Sequence, residues 1–91
     1  MRLVWDQQAW ADYLHWQQVD ARMLKRINTL LREISRGAEQ GDPHHGIGRP
    51  EALKFGLHGF WSRRITAEHR LIYQVVGDEV RVVACRHHYE S

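Results

Sequence analysis

The chain is poor in several features that mark common protein classes. Its single cysteine, Cys85, excludes an internal disulfide framework and favours a reducing compartment. No apolar run approaches the roughly 20 residues of a membrane span. Met1 and Arg2 lead into only three apolar residues, which is too few for the hydrophobic region of a signal peptide. We therefore expect a cytosolic protein with no membrane segment.

Lysine and metal-binding motifs are also scarce. Only two of the 13 basic residues are lysine, and the rest are arginine, whose planar guanidinium suits phosphate binding and base stacking. A GC-rich genome would also raise the arginine content, and a net charge of +2 does not by itself indicate nucleic acid. The pairs His44-His45 and His87-His88 lack HxH spacing, and neighbouring strand residues point to opposite faces, which disfavours a metal site.

Ninety-one residues suffice for one domain, residues 1–91, with one modest core. The run Leu3–Trp5 predicts a first strand. Asp6 and Asp20 are N-cap residues, each followed by apolar residues three and four apart, so two helices are predicted, the second ending near Gly37. The first helix is expected to bury Trp10, Tyr13, Leu14 and Gln17, and the second Met23, Ile27, Leu30, Leu31 and Ile34.

The second half of the chain predicts a loop and then a sheet. Residues 38–50 are rich in glycine and proline and predict a long loop, after which residues 51–57 can add a short edge strand. Three β-like runs follow at 59–66, 70–76 and 79–89, and Gly77-Asp78 between the last two predicts a hairpin turn. The predicted fold class is α+β, with two N-terminal helices packed on one face of a twisted, mainly antiparallel sheet.

Alternation along the strands separates an apolar face from an open, polar one. If Val76 pairs with Glu79 across the turn, Arg70 falls opposite Cys85. The helix-covered face then holds Leu71, Tyr73, Val75, Val80, Val82 and Ala84. The open face holds Ser62, Arg64, Arg70, Gln74, Arg81, Cys85 and His87. Simple alternation puts His88 on the face opposite to Arg70, so a bulge or an irregular end near Arg86 would be needed to bring them together.

Three interpretations of the C-terminal arginines, histidines and glutamates compete. The first is a metal site, which the spacing disfavours. The second is a solvated sheet face, on which Arg63, Arg64 and Arg81 are surface charges paired with acidic residues. The third is phosphodiester cleavage of RNA, which needs a base for the 2′-hydroxyl, an acid for the leaving 5′-oxygen and cations around the phosphate.

The order and spacing of five segments resemble the YoeB/Txe toxins of the RelE-like superfamily. These segments are Trp5 to Trp16, Pro50 to Lys54, Gly59 to Ile65, Glu68 to Leu71 and Ala84 to Tyr89. The resemblance covers nearly the whole chain. It implies the RelE-like, microbial ribonuclease-type fold of two helices on an antiparallel sheet, and an activity that cleaves mRNA in the ribosomal A site without a metal or other cofactor.

The resemblance also implies roles for particular residues. Glu51 matches the general base, Arg70 the phosphate-stabilising arginine and His88 the general acid. Four further residues match supporting positions of the family. Lys54 and Arg64 match basic groups around the phosphate, Glu68 matches a supporting carboxylate, and Tyr89 matches the aromatic residue that helps to place the nucleotide. The product would be a 2′,3′-cyclic phosphate.

The family's partners would be a cognate, YefM-like antitoxin, the ribosome with its mRNA, and a second toxin copy, since the family tends to dimerise. This sequence departs from the family pattern in three places. The loop that contains His44-His45 is longer than usual, His87 stands where the family often has tyrosine, and Glu90-Ser91 extends past the usual terminal tyrosine. Two alternatives remain: a non-catalytic toxin on the same fold that acts on a DNA topoisomerase, and a plain RNA- or ribosome-binding module.

Overall fold

The predicted two-layer α+β arrangement is confirmed in a computed structural model that describes residues 1–87. The elements are β1 (Arg2–Trp5), α1 (Gln7–Val19), α2 (Ala21–Glu39), β2 (Glu51–Ala52), a 3-10 turn (Phe55–Leu57), β3 (Trp61–Arg64), β4 (Arg70–Val76) and β5 (Glu79–Ala84). One sheet has the strand order β1-β5-β4-β3-β2. The strand β1 runs parallel to β5, and the other neighbours are antiparallel. The predictions for His88 and Tyr89 lie outside the described residues.

Both helices pack on the same face of the sheet. Asp20 alone separates them, and its carboxylate caps α2 by accepting from the backbone amides of Arg22 and Met23. The Tyr13 hydroxyl donates to Oδ1 of Asn28 at 2.7 Å, which ties α1 to α2. The core under the helices contains the predicted stripe of α2, together with Ala9, Trp16, Ile65, Leu71, Tyr73, Val80, Val82 and Cys85.

The buried stripe of α1 differs from the prediction by a rotation of the helix. Its buried residues are Ala9, Asp12 and Trp16, whereas Trp10 is 46% exposed. The helix turns this way because Asp12 and Trp16 both hydrogen-bond the backbone of Cys85. Trp10 lies at the edge of the core, where its ring stacks on Tyr13 with 5.7 Å between the ring centroids.

A bulge in β5 overturns two predicted facings. Tyr73 pairs with Val82, but its neighbour Ile72 pairs with Ala84, so the alternation reverses between these two rungs. Ala84 therefore lies on the sheet face opposite to the helices, packed against Ile72 and Leu53, and not in the main core. Cys85, predicted on the open face, is buried in the main core instead.

The loop before β2 is shorter than predicted, because α2 continues to Glu39, two residues past Gly37. Residues 40–50 then return to the sheet edge. Gly48, with φ of +85°, lies so close to the core that a Cβ there would be 2.9 Å from Leu30 Cδ2. The Gly48 carbonyl accepts from the Arg64 amide at 2.6 Å, which joins the end of the loop to β3.

A buried arginine holds this loop in place. Arg63 is fully buried on the helix side of β3, so its prediction as a surface charge is wrong. Its guanidinium donates from Nη1 to the Ile47 carbonyl at 2.9 Å, and from Nη2 to the Pro43 and His45 carbonyls at 2.9 and 3.0 Å. Three backbone acceptors of one loop thus surround a single buried cation, which fixes the path of the loop.

His44 closes the same network from the loop side. Its ring stacks on Trp61, with 3.8 Å between centroids and 4° between planes. Its Nδ1 lies 3.1 Å from the Tyr73 hydroxyl, which also accepts from Nε of Arg63 at 3.3 Å. Burial of the ring is the main cause that lowers the pKa of His44, and the nearby charge of Arg63 lowers it further. The charge of Asp42 acts in the opposite direction. Burial likewise raises the pKa of Tyr73.

Among the described residues, no helix is both long and apolar enough to cross a membrane.

We predict that replacing Arg63 with methionine lowers the free energy of unfolding by about 3 kcal/mol or more, because several polar atoms lose their partner. Chemical denaturation of the two proteins measures the difference. The control is Arg81→Met, which removes an exposed arginine that is ion-paired with Glu79 at 2.9 Å and should change stability by about 0.5 kcal/mol or less. Equal losses in the two variants would contradict a structural role for Arg63.

His44 should also make stability depend on pH. Because its pKa is lower in the folded protein than the ordinary value of 6.5, the unfolded chain binds the proton first as pH falls. The stability contributed by neutral His44 is therefore complete above the ordinary pKa and is lost as pH falls below it. Denaturation series at several pH values should show this slope reduced in His44→Phe, which keeps the stacked ring. An unchanged slope would show that His44 does not titrate differently in the folded state.

Candidate active site

Two arginines face each other across neighbouring strands on the face of the sheet away from the helices. Arg64 of β3 is in register with Arg70 of β4. The Arg64 amide bonds Gly48 and the Arg70 amide bonds His87, so neither bonds the other. The two therefore form a pair of the type without mutual hydrogen bonds, whose Cα atoms lie about 4.5 Å apart with their side chains close together.

Each guanidinium group has a donor that no acceptor among residues 1–87 satisfies. Within residues 1–87, the Nε atoms of Arg64 and Arg70 are buried and make no hydrogen bond. Unsatisfied buried donors are rare, and two like charges directly opposite each other on a sheet are unfavourable. An anion bound at the two side chains would offset the repulsion between them, so the pair is suited to binding a phosphate group.

Glu51 lies on the adjoining edge strand. It pairs with Ser62 of β3, and Ser62 in turn pairs with Ile72 of β4. Residues paired in this way share a face, so Glu51 lies on the same face as Arg64. The two are diagonal neighbours, with about 7–8 Å between their Cα atoms. Its side chain is exposed and β2 contains only two residues, so the carboxylate is accessible to a ligand held by the arginines.

Among residues 1–87, neither Lys54 nor Glu68 makes a side-chain hydrogen bond or ion pair with this cluster. Lys54 is exposed at the start of the 3-10 turn, three residues beyond Glu51. Glu68 is exposed in the turn between β3 and β4, where its amide donates to Oγ1 of Thr66. Its carboxylate raises the pKa of the neighbouring His69, against a larger lowering by burial.

The segment after β5 is fastened to α1 by a residue that the sequence analysis did not single out. The carboxylate of Asp12, itself buried, accepts from the Cys85 amide at 3.1 Å. One turn later on the same helix, Nε1 of Trp16 donates to the Cys85 carbonyl at 2.8 Å. Burial, followed by the charge of Asp12, raises the pKa of the Cys85 thiol to about 12, so this thiol is inert as a nucleophile.

The same segment is then held against the arginine pair. The His87 amide donates to Nδ1 of His69 at 2.8 Å, and the His87 carbonyl accepts from the Arg70 amide at 3.0 Å. His88 and Tyr89 lie outside the described residues. The carbonyl of the residue before His88 is nevertheless bonded to the backbone of Arg70, which ties the start of this C-terminal stretch to the site.

The described residues contain no group of three or more histidine, cysteine, aspartate or glutamate side chains arranged to hold a metal ion. The open face offers two arginines, an accessible carboxylate and a fixed C-terminal segment. This set can bind a phosphodiester and supply a base next to it.

Comparison with known proteins identifies close relatives over the whole chain. A family model described as the YoeB-like toxin of bacterial type II toxin–antitoxin systems matches residues 5–89. Toxin YoeB of Escherichia coli K12 is 49% identical over 89 residues, which cover 98% of this chain and all of that protein. Toxin YoeB of Synechocystis is 46% identical over 99% of both chains.

Solved structures agree with these sequence matches. The YoeB/ParE toxin from Agrobacterium tumefaciens superposes with a TM-score of 0.87 at 47% identity, covering 98% of this chain and all of that one. The YoeB dimer from Staphylococcus aureus gives 0.87 at 42% identity, covering 98% of both chains. A heterotetrameric YoeB–YefM complex from the same organism gives 0.86 at 41% identity, with the same coverage.

We predict that removing one charge from the arginine pair stabilises the fold. In Arg70→Gln the repulsion from Arg64 is relieved, so the free energy of unfolding should rise by about 0.5 kcal/mol at low ionic strength. The gain should shrink as salt is raised from about 10 mM to 1 M, because the Debye length falls from about 30 to 3 Å. Denaturation at both salt concentrations measures it. The control Arg81→Gln removes an ion-paired charge and should not stabilise; equal behaviour would refute repulsion between Arg64 and Arg70.

Proposed function

The chain belongs to the YoeB-like toxins of bacterial type II toxin–antitoxin systems, and from that membership we propose that it is an endoribonuclease that cleaves mRNA in the ribosomal A site. The observation that carries this proposal is the opposed pair of Arg64 and Arg70, whose buried Nε donors have no acceptor within residues 1–87. A pair of like charges held this close favours a function that brings an anion to it, and a phosphodiester is such an anion.

The reaction uses the nucleophile that RNA itself carries. The carboxylate of Glu51 takes the proton of the 2′-hydroxyl, whose oxygen attacks the adjacent phosphorus. Arg70 and Arg64 stabilise the negative charge that builds on the phosphate oxygens. His88 gives a proton to the leaving 5′-oxygen, so the products are a 2′,3′-cyclic phosphate and a 5′-hydroxyl. The step needs no metal or other cofactor.

The supporting residues act around this centre. Lys54, exposed beyond Glu51, and Glu68, exposed in the turn before Arg70, contribute charge at the rim of the site. Tyr89 stacks on a base of the codon, which holds the nucleotides apart for in-line attack. The ribosome supplies the mRNA in an extended form, and the toxin works in the cytoplasm, where translating ribosomes are found.

The partner that restrains this activity is a YefM-like antitoxin. The solved YoeB–YefM complex supports this assignment, because its toxin shares the fold and 41% of the sequence. An acidic, disordered tail of the antitoxin would cover the open face and neutralise Arg64 and Arg70. The solved YoeB dimer likewise supports a homodimer as the free form.

Two other functions are less well supported. A toxin that acts on a DNA topoisomerase would not need a carboxylate beside an opposed arginine pair. A plain RNA- or ribosome-binding module would not need Glu51 either, and it would bind with a steep salt dependence while leaving RNA intact.

Three substitutions test the mechanism. Glu51→Gln, Arg70→Ala and His88→Ala should each lower cleavage by about 100-fold or more, since each removes a base, a phosphate ligand or an acid. Purified protein, freed of antitoxin, is incubated with one mRNA, either naked or on translating ribosomes, and the new ends are mapped. Cuts should occur only on ribosomes, within the A-site codon, and leave a cyclic phosphate.

The matched control is Arg81→Ala, which removes an exposed arginine from β5 and should cleave like the unmodified protein. Circular dichroism establishes that all four variants are folded. Unchanged cleavage in the three site variants would refute the mechanism. Intact mRNA under both conditions would favour the topoisomerase-directed or binding-only function.

A further inference from the structure

The short segment from Cys85 to His87 is held by an unusual number of contacts for an irregular stretch. Its backbone makes four hydrogen bonds of 2.8 to 3.1 Å to three parts of the fold. Asp12 and Trp16 on α1 bind the peptide groups of Cys85, and the Arg70 amide binds the His87 carbonyl. The fourth contact differs in kind, because the acceptor for the His87 amide is Nδ1 of the His69 imidazole.

This fourth bond holds a strained residue. His87 has a φ of +70°, in the left-handed region that residues with a side chain rarely adopt. Such a conformation costs on the order of 1–3 kcal/mol and persists where surrounding contacts fix it. Here the contacts are the bond that the His87 amide donates to His69 and the bond that the His87 carbonyl accepts from the Arg70 amide. These two bonds fix the backbone of His87, the last of the described residues.

The ring of His69 is itself held in place. It meets the face of Trp16 edge-on, with 4.8 Å between the ring centroids. Trp16 also donates to Cys85, so one aromatic residue of α1 supports both the segment and the imidazole that binds it. His69 directly precedes Arg70, so the acceptor and the arginine belong to the same corner of β4.

We propose that His69 is a positioning residue: its neutral imidazole holds the His87 amide and thereby orients the segment from Cys85 to His87 for catalysis, and protonation of Nδ1 releases the amide. The catalytic consequence rests on the proposed function, in which His88 is the proton donor. The release follows from elementary chemistry, because a protonated imidazole has two N–H donors and no acceptor.

The surroundings of His69 favour its neutral form, and so its bond to the His87 amide, at neutral pH. Burial is the largest influence and lowers the pKa of His69, and Arg86, His87 and His15 of α1 lower it further. Glu68 is the one opposing charge in this set. His69 should therefore hold the His87 amide at neutral pH and release it as pH falls below the ordinary histidine pKa of 6.5.

Two variants separate the acceptor from the ring. In His69→Asn the side-chain oxygen replaces Nδ1 as an acceptor that does not titrate. In His69→Phe the ring against Trp16 is kept and the acceptor is lost. The first readout is the ¹⁵N–¹H resonance and hydrogen-exchange protection of the His87 amide, followed from neutral to mildly acidic pH with the free toxin. The second is cleavage of mRNA on ribosomes over the same range.

In the unmodified protein, the His87 amide should lose protection with the same midpoint as the imidazole resonances of His69. His69→Asn should keep that protection throughout and cleave within a few-fold of the unmodified protein at neutral pH, and it should lose less activity on acidification. His69→Phe should lack protection at every pH and cleave about 100-fold more slowly, because a misplaced catalytic group costs about that factor.

Two results would overturn the positioning role: a His87 amide that ignores the titration of His69, or cleavage by His69→Phe at the unmodified rate. The readouts also distinguish this inference from the proposed function. If no variant cleaves and the unmodified protein does not cleave either, yet the His87 amide follows His69, then the hold on the segment stands and the ribonuclease assignment fails. If the unmodified protein cleaves and the amide does not respond, the ribonuclease assignment stands and His69 has no positioning role.

Discussion

The buried guanidinium of Arg63 is the interaction on which the candidate site depends. It draws the carbonyls of Pro43, His45 and Ile47 around one cation, and the loop that results leads directly into Glu51. A carboxylate partner is not needed, because three carbonyl dipoles point at the charge and stabilise it in a region of low dielectric. The bond from the Arg64 amide to the Gly48 carbonyl and the stacking of His44 on Trp61 then hold the same loop against β3.

Strand parity gives Arg63 and Arg64 opposite roles although they are neighbours of the same residue type. Arg63 points into the layer beneath the helices and has four hydrogen bonds. Arg64 points to the other face, where Arg70 is opposite and Nε is without a partner within residues 1–87. The first arginine is satisfied by the protein, whereas the second is left to be satisfied by a ligand. A shift of one residue in the register of β3 would exchange the two roles.

Local patterns in the sequence predicted most of the fold, and long-range contacts account for the remainder. The stripe of α2 and the turn at Gly77-Asp78 follow from spacing and from glycine alone, and the structure confirms both. The rotation of α1 does not, because it depends on Asp12 reaching the Cys85 amide 73 residues away. An acidic residue on the stripe between Ala9 and Trp16 was the one available signal.

The bulge in β5 could not be predicted from the sequence either, since Val82, Val83 and Ala84 all suit a strand and none marks the extra residue. The sequence indicated an irregularity only near Arg86, whereas the bulge lies between Val82 and Ala84. For the site, alternation predicted that Arg64 and Arg70 share the open face, and the structure confirms it. The facing of Glu51 needed the pairing of β2 with β3, which the sequence does not show. The buried role of Arg63 could not, because an arginine without an acidic partner looks like a surface residue until its carbonyl acceptors are known.

Two features that lower the stability of the fold lie side by side at this site. Arg64 and Arg70 repel each other, and His87, bonded to the Arg70 backbone, is held in a left-handed conformation. Each lowers stability, and none of these three residues belongs to the buried core beneath the helices. Bonds from α1, His69 and β4 keep the strained segment in place, so the rest of the fold offsets its cost. A phosphate bound between the arginines would offset the repulsion, so binding such an anion would stabilise this part of the fold.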